Sequence, residues 1–573
     1  MSSSSISLSI PLPAPPTPAV LTPAVGVKGS NVFSISGDPR VDLNVKCVRG
    51  ADAAVLSAAL DSVLALKTQE ALEDAFVLAF HSRNIRGGKG EKAIFQTLYS
   101  RLCETQGIVA KALLDLIPHY GCWNDLLVLA EATPRKEITQ TIVNFYADTL
   151  HKESKLEKPA TLAAKWAPRE GSKHKDLAKR IAWVMFPPQQ HSAQMRHYRR
   201  LVADMNAKLN TVETLMCSDR WDMIVPGSVP GRAGKLYSKA FLNLPSTHKV
   251  KGETKEEFRH PNNEKRMICR RHFEAHFAAA ARGEAKVHGA DTLFPHEVVQ
   301  KASEDHGLSA AEKDQLNAVW LSMVTKAKAA GGLGRSIFMS DFSGSMAGTP
   351  YWVSMALGIL GSQVCADEFK DKLMTFDSNP IWHHFTAGSD LFARIRTIES
   401  SGIGQGLSTD FQKAMDLVLT TLKTERVRPG QEPENLIVLT DMGWDQACSS
   451  SEMSDYTGNS YRHVVKTKGW QTHIQMIQEA FKRAGEDMWG PGQGFTAPRI
   501  VIWNLRASPQ TDFHATADTP GVAMLSGWSP TQFEILMKEG PRQMTAYEML
   551  RLELDDPKYL RVRERIRAVI GTA

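Results

Sequence analysis

The sequence has no run of about 20 apolar residues, the length that a helix needs to cross a bilayer. An integral membrane protein of the helical type is therefore not expected. The first 27 residues also lack lysine and arginine, and prolines interrupt them from Pro11 onward. A secretory signal needs a basic start and an unbroken apolar segment, so we do not expect these residues to be one.

Cysteines are few and scattered. The chain has 7 cysteines in 573 residues, and no two of them form a Cys-x-x-Cys pair. An odd, dispersed set in a large chain argues against a disulfide framework and against structural zinc. The sequence therefore predicts a protein of a reducing compartment, the cytoplasm, with the nucleus as the alternative.

Motifs of covalent catalysis and of nucleotide binding are also missing. No Gly-x-Ser-x-Gly element surrounds a serine, and no cysteine has an evident histidine partner. The glycine-rich stretch from Gly87 to Gly90 lacks both the spacing of a phosphate-binding loop and a strand before it. We therefore expect a non-catalytic protein and interpret this stretch as a turn between helices.

Charge is distributed unevenly. Residues 331–573 contain 24 basic and 28 acidic side chains, whereas residues 1–330 contain 44 and 34, so the net charges are −4 and +10. The two parts are expected to meet different partners. The basic part has the charge that suits a polyanion such as RNA, although net charge by itself does not identify one.

The chain divides by pattern into three parts. Residues 1–40 are rich in serine, proline and alanine and are predicted to be a disordered arm. In residues 41–330, apolar residues recur at spacings of three and four, and short breaks carry glycine, proline or asparagine. Serial helices with short breaks predict an all-α repeat module of the HEAT type, and a compact helical bundle is the alternative.

Residues 331–573 alternate short apolar runs with amphipathic stretches. Such alternation predicts a doubly wound α/β domain with a mainly parallel sheet, in which ligands bind at the carboxyl ends of the strands. Five strands are predicted: 336–340, 372–376, 436–440, 500–503 and 522–525. Helices are predicted at 351–364, 411–421 and 470–484, and from about 530.

Oxygen-bearing side chains follow the strands of this predicted sheet. Asp341, Ser343 and Ser345 alternate where the first strand ends, Thr409 precedes a helix, and Asp441 directly ends the third strand. These side chains are expected to meet at one edge of the sheet. Carboxylates and hydroxyls are ligands for a hard cation, so the pattern predicts a Mg²⁺ (or Mn²⁺) site. A metal-free cluster of helix caps is the alternative.

The motifs DFSGS (341–345), LSTD (407–410) and VLTDMGWD (438–445) resemble the metal-ion-dependent adhesion site of von Willebrand factor A domains. The resemblance implies that Asp341, Ser343, Ser345, Thr409 and Asp441 hold the metal. It also implies that an acidic side chain of a partner completes the metal shell. A polar stretch at 448–469 follows Asp441 closely and is expected to lie over or beside the metal.

Residues 45–570 resemble a wider group, a family of uncharacterised plant and large-DNA-virus proteins (domain of unknown function 2828). The motifs that carry this likeness are IRGGKGEK (85–92), IPHYGCWNDLL (117–127), AAKWAPRE (163–170), LFPHE (293–297) and GVAMLSGWSP (521–530). The order of domains is more distantly similar to that of the Ro ribonucleoprotein autoantigen, with its TROVE module. This likeness implies RNA binding by analogy only, because architecture does not fix function.

A basic segment at 152–200 supplies most of the candidate RNA contacts. It has 12 basic and 4 acidic residues with interleaved aromatic residues. Basic side chains attract phosphates and aromatic rings stack on bases, although a solvated helix face is the alternative. The candidates, with three from the glycine-rich turn, are Arg86, Lys89, Lys92, Lys165, Arg169, Lys173, Lys175, Arg196, Arg199 and Arg200.

Two binding functions remain open from the sequence. The first is a Ro-like ribonucleoprotein component that binds structured or single-stranded RNA and docks an acidic protein ligand at the metal. The second is a protein interaction scaffold that uses the metal site and no nucleic acid. A third hypothesis, a hydrolase or other enzyme that uses the divalent ion, would need a second metal or a general base near Asp341, and the sequence offers no clear candidate.

Overall fold

The computed structural model describes residues 23–25, 31–186, 191–245, 258–304, 306–366, 368–376, 380–401, 411–443, 470–508, 511–537 and 544–571. Its first elements are the short antiparallel strands β1 (Pro23–Val25) and β2 (Asn31–Phe33). Within the described residues, no helix combines the length and the apolar composition that a bilayer-spanning helix needs.

Apart from β1 and β2, the described elements before residue 331 are helices, as the sequence predicts. Their ends often match capping signals: Asp52 accepts backbone hydrogen bonds at the start of α2, and Ser309 with Glu312 forms a capping box on α17. The helices are α1 Pro39–Lys46, α2 Ala53–Leu64, α3 Gln69–Arg83, α4 Lys92–Thr105, α5 Gly107–Ala112, α6 Ile117–Tyr120, α7 Trp123–Ala132, α8 Lys136–Ser154, α9 Ala163–Trp166, α10 Lys175–Met185, α11 His191–Leu209, α12 Val212–Cys217, α13 Gly231–Leu236, α14 Ser238–Phe241, α15 Glu264–Ala281, α16 Pro295–Glu304 and α17 Ala310–Ala329.

A six-stranded sheet follows. Its strands are β3 Ser336–Asp341, β4 Lys372–Phe376, β5 Trp382–His384, β6 Asn435–Thr440, β7 Arg499–Asn504 and β8 Val522–Ser526, in the order β5-β4-β3-β6-β7-β8. Only β5 runs antiparallel to its neighbour, and it adds an edge strand to the five that the sequence predicts. Every residue of β3, β6, β7 and β8 is buried, as expected for strands covered on both faces.

The helices of this second part are α18 Thr349–Ser362, α19 Leu391–Glu399, α20 Phe411–Thr424, α21 Trp470–Trp489, α22 Phe533–Met537, α23 Ala546–Leu554 and α24 Leu560–Gly571. The last two return to the first part of the chain, where α23 packs on α3 and α24 packs on α3 and α5. Helix α1 packs on β8, and α16 packs on α18. The main hydrophobic cluster accordingly includes buried residues from both sides of residue 331.

Buried ion pairs accompany this return of the chain. The carboxylate of Asp74 in α3 is fully buried and accepts hydrogen bonds from Arg40 at 3.3 Å, from Arg551 at 2.7 Å and from Arg563 at 2.6 Å. Its neighbour Glu73 contacts Arg563 at 3.2 Å and Arg567 at 2.8 Å. One acidic pair on α3 therefore holds α1, α23 and α24 through four arginines.

The predicted disorder of residues 1–40 is wrong for residues 31–40. Phe33 exchanges backbone hydrogen bonds with Phe513, at 2.9 and 3.1 Å, and Ser36 and Asp38 are buried. Asp38 also caps α1 and binds the side chain of Arg40 at 2.7 Å. The partners lie far along the chain, so local composition could not indicate them. Residues 1–22 and 26–30 lie outside the described part.

Candidate functional site

The site is built on the carboxyl end of β3. Asp341 is the last residue of this strand, and its carboxylate is fully buried. One oxygen, Oδ1, accepts a hydrogen bond from the backbone N–H of Ser343 at 2.9 Å. The other, Oδ2, accepts from the hydroxyl of Thr440 at 3.0 Å. The two contacts fix the orientation of the carboxylate from both sides.

Two hydroxyls lie in the turn after Asp341. The Oγ atoms of Ser343 and Ser345 are 3.0 Å apart, and Ser343 is buried whereas Ser345 is half-buried. The backbone then makes a short 3₁₀ turn, Gly344–Met346, before α18 begins at Thr349. The alternation of Asp, Ser and Ser thus places a carboxylate and a pair of hydroxyls in one tight turn, as the sequence predicts.

The neighbouring strand brings the second carboxylate. β3 and β6 are parallel, and Ser340 pairs with Leu439, so Asp341 and Thr440 end their strands at the same edge of the sheet. Asp441 follows, and its Oδ1 accepts from the N–H of Gly443 at 2.9 Å. Burial, and then the charge of Asp441, raise the pKa of Asp341 from 3.8 to about 7.

Two residues of this edge were not foreseen. The first is Thr440. Its position directly before Asp441, at the end of the strand next to Asp341, could have indicated that it belongs to the site. His514 is the other, a fully buried residue whose Nε2 lies 2.7 Å from the carbonyl oxygen of Met442 and donates to it. Burial lowers the pKa of His514 to about 4, so the ring is neutral. It holds the turn after Asp441, where Met442 has a φ of 65°.

The donor set suits a hard cation. Two carboxylates and two hydroxyls supply only oxygen, and a cation near Asp341 and Asp441 would offset the cost of keeping both ionised at a buried edge. Among the described residues, no cluster of three or more histidine, cysteine, aspartate or glutamate side chains has a metal-binding arrangement. Within the described part of the chain, the fit of the site to a cation therefore depends on the hydroxyls of Ser343 and Ser345 as well as on the carboxylates.

Thr409, the fifth predicted ligand, lies outside the described residues, and so does the stretch 448–469 that was expected near the metal. The structure thus brings together Asp341, Ser343 and Ser345, with Asp441 close enough for its charge to act on Asp341.

Comparison with known proteins gives two matches. Residues 335–565, which run from the start of β3 into α24, match the family model described as Domain of unknown function (DUF7788). The chain is 25% identical over 533 residues to an uncharacterised protein of Acanthamoeba polyphaga mimivirus, and the alignment covers 89% of this chain and 83% of the viral protein. These similarities fit an uncharacterised family of the large-DNA-virus type. The number of the matched domain differs from the one that the motifs suggested.

Most of the candidate RNA-binding side chains lie at the surface. Arg86, Lys92, Arg169, Lys173, Lys175, Arg196, Arg199 and Arg200 are exposed, and Lys165 is partly exposed in an ion pair with Glu213 at 2.9 Å. Trp166 and Trp183 are 39% and 52% exposed. Tyr198, by contrast, is buried, and its hydroxyl donates to the carbonyl of Pro168 at 2.9 Å.

Lys89 does not belong with these exposed candidates for RNA binding. Its side chain is fully buried, and its Nζ donates to the carbonyl of Asn44 at 2.6 Å and to the hydroxyl of Ser526 at 2.5 Å. Burial lowers the pKa of this lysine. The expected exposed charge is therefore wrong for Lys89, which instead ties the glycine-rich turn to the end of β8.

The glycines of this turn have a packing role. A Cβ on Gly88 would lie 2.2 Å from the carbonyl oxygen of His81. The turn folds back on the end of α3, where the N–H of Lys89 donates to that same carbonyl at 3.0 Å. The carbonyl of Gly88 accepts from the hydroxyl of Thr531 at 2.7 Å. The interpretation as an interhelix turn therefore agrees with the structure.

Proposed function

We propose that this protein is a non-catalytic binding protein whose sheet domain holds Mg²⁺ (or Mn²⁺) and uses it to dock an acidic side chain of a partner. The observation that carries the proposal is the buried Asp341 carboxylate, oriented by Ser343 and Thr440 beside the paired hydroxyls. Asp341, Ser343, Ser345 and Asp441 would hold the cation, with Thr409 added by resemblance to von Willebrand factor A domains.

The chemistry of the edge supports a docking role. Hydroxyl ligands add no negative charge, so a divalent cation keeps part of its attraction for an outside carboxylate. The half-buried position of Ser345 places one ligand toward solvent. A central β3 in a mostly parallel sheet also agrees with an A-type domain.

Titration calorimetry with Mn²⁺ tests this proposal. Wild type should bind one ion per chain, Asp341→Ala should bind none, and Ser345→Ala should bind about tenfold or more weakly. Ser340→Ala is the matched control, because its hydroxyl faces away from the site and donates to the carbonyl of Ser354 at 3.2 Å. An unchanged Mn²⁺ affinity in Asp341→Ala would contradict the assignment.

RNA binding by the basic segment is the second candidate function. The side chains of Arg199 and Glu170 are in contact, so the middle of α11 lies against the stretch between α9 and α10. Exposed cations at 169–175 and 196–200 therefore form one surface, and Trp166 and Trp183 are exposed near it in the chain. Cations and stacking rings together suit single-stranded or structured RNA.

Filter binding against salt concentration tests the RNA proposal. Replacing Arg196, Arg199 and Arg200 by glutamine should weaken binding and reduce the slope of log K against log salt by about 0.7 for each lost phosphate contact. The matched control replaces Lys111, Lys286 and Lys313, which are exposed elsewhere, by glutamine. Equal losses in the two triple variants would indicate that net charge, and no defined surface, attracts the RNA.

The protein scaffold without nucleic acid remains the alternative. It keeps the metal and treats the basic surface as solvated. Partners recovered from the native host should then disappear with EDTA and survive nuclease, whereas RNA-bridged partners should disappear with nuclease.

A further inference from the structure

A cavity of about 320 Å³ lies in the helical part, remote in sequence from the proposed metal ligands. Its walls come from α13 to α17 and are mostly apolar. They include Val229, Phe273, Phe277, Val298, Leu316 and Val319. Protein interiors rarely leave gaps larger than a water molecule, whereas ligand pockets begin at about 300 Å³. The space is therefore large enough to hold a small ligand.

The cavity lies where two hydrophobic clusters meet. Val229, Phe273 and Phe277 belong to a small cluster around α15, whereas Val298 and Val319 belong to the main cluster. The wall also contains His276, whose buried Nε2 has no hydrogen-bond partner among the described residues. Buried polar atoms are usually hydrogen-bonded to protein or to an ordered water, so this nitrogen makes part of an otherwise apolar wall polar.

The rim of the cavity is positively charged. Lys235, Lys239 and Lys301 line it together with Glu297, and Lys301 also lies 3.4 Å from the buried carboxylate of Glu312. Glu297 is ionised, because hydrogen bonds and charge from Lys235 outweigh the effect of burial and lower its pKa. Its contacts with Lys235, at 2.6 Å, and with Arg232, at 2.9 Å, leave the rim with a net positive charge.

The rim also gives access from solvent. Lys235, Glu297 and Lys301 line a second, wider cleft of about 570 Å³, which extends toward Arg49, Gln300, Glu304 and Thr349. Leu236, another residue of the cavity lining, is 71% exposed at the surface. An apolar chamber thus opens through a cationic rim into a polar cleft.

We propose that this cavity binds a medium-chain amphiphile with a carboxylate head. Its hydrocarbon chain would lie among the apolar side chains of α15, α16 and α17, and its head would contact Lys235 and Lys301. Shape and charge both support this occupant. Lys235 and Lys301 have acidic partners of their own, but with Arg232 and Lys239 the cations of the rim outnumber Glu297 and Glu312, which favours a carboxylate head. A small anion would leave the apolar chamber empty. The proposal is independent of the metal site.

Calorimetric titration of the full chain with decanoate, octanoate and decylammonium tests the ligand class. Decanoate should bind one per chain, and octanoate, two methylenes shorter, should bind about tenfold more weakly. Decylammonium, which has the same chain and the opposite charge, should also bind at least tenfold more weakly. Equal affinities for decanoate and decylammonium, or no saturable decanoate binding, would overturn the proposal.

Two variants locate the site. Val319→Phe, which fills the chamber, should lower decanoate affinity at least tenfold, with circular dichroism showing a folded chain.

The double variant Lys235→Gln and Lys301→Gln should remove the preference for decanoate over decylammonium. The control Lys111→Gln and Lys136→Gln removes the same charge from exposed positions that do not line the cavity and should keep the preference. Asp341→Asn should bind decanoate normally, so failure here is distinct from failure of the metal proposal. Unchanged decanoate affinity in Val319→Phe would place the ligand elsewhere.

Discussion

Replacing Asp74 by asparagine is expected to lower the free energy of unfolding by about 3–5 kcal/mol. The change keeps the shape of the side chain and removes its charge. Arg40, Arg551 and Arg563 would then lose the buried carboxylate that they share, at 3.3, 2.7 and 2.6 Å. Each arginine keeps at least one other carboxylate, such as Asp38 for Arg40, Asp555 for Arg551 and Glu73 for Arg563. The shared carboxylate at the centre is nevertheless lost, and buried positive charge that is only partly balanced is costly.

Urea denaturation followed by circular dichroism measures this loss. Asp61→Asn is the matched control, because Asp61 also joins two helices through an arginine, Arg101, at 2.8 Å, but at the surface. Exposed pairs contribute little, so this control should cost less than about 1 kcal/mol. A cost for Asp74→Asn no larger than that of the control would mean that the buried pairs do not hold the C-terminal helices.

The sheet was readable from the sequence because its strands are buried on both faces. Such strands appear as continuous apolar runs between glycine-rich or polar breaks, and all five predicted runs are strands in the structure. The strand β5 has only three residues at an edge, with one face partly exposed, so it leaves no such run. Strands at sheet edges are short for this reason, and they escape pattern analysis.

Contacts between distant parts of the chain could not be read in the same way. Arg551 and Arg563 contact Asp74 across 477 and 489 residues, and Lys89 contacts Ser526 across 437. In a single sequence these side chains look like ordinary surface charges, since lysine, arginine and aspartate are mostly exposed. Because lysine is usually exposed, the sequence predicts Lys89 at the surface. The same tendency also explains why the packing of α23 and α24 on α3 was not foreseen.

The candidate site lies between these two cases. The alternation Asp341, Ser343, Ser345 is local, so the sequence alone brings these three side chains into one turn. Asp441 is not local, and its placement followed from the rule that parallel strands end at one edge of a sheet. His514 belongs to a loop after β7 whose path no pattern in the sequence indicates, and it was missed accordingly.

The raised pKa of Asp341 makes stability depend on pH in a defined direction. The folded protein, with a pKa of about 7, binds this proton more tightly than the unfolded chain, with a value of 3.8. In the absence of metal, the contribution of Asp341 to stability is therefore greatest below about pH 4. It falls as the pH rises to about 7 and is constant above that. The total fall is on the order of 4 kcal/mol, at 1.36 kcal/mol for each pKa unit.

Asp341→Asn should remove this dependence, because the amide is neutral at every pH. Above pH 7 and without metal, the variant is expected to be more stable than wild type by up to about 4 kcal/mol, whereas near pH 4 the two should be similar. Mg²⁺ should reverse the order. It binds the ionised carboxylate of the folded wild type and raises its unfolding free energy, and it leaves Asp341→Asn unchanged.

Urea denaturation at pH 4 to 8 separates these effects, with one series in Mg²⁺ at about a hundred times its dissociation constant and a second series in EDTA. Asp52→Asn serves as the control, since Asp52 caps α2 at the exposed surface and should leave both the pH profile and the Mg²⁺ response of wild type in place. Other titrating groups are common to wild type and variant, so the difference between their profiles isolates Asp341.

If Mg²⁺ stabilised both proteins equally, the cation would be bound elsewhere. The metal-free curves of unfolding free energy against pH could also run parallel for wild type and variant from pH 4 to 8. Ionising Asp341 beside Asp441 would then cost nothing, and the physical reason for a cation at this edge would be lost.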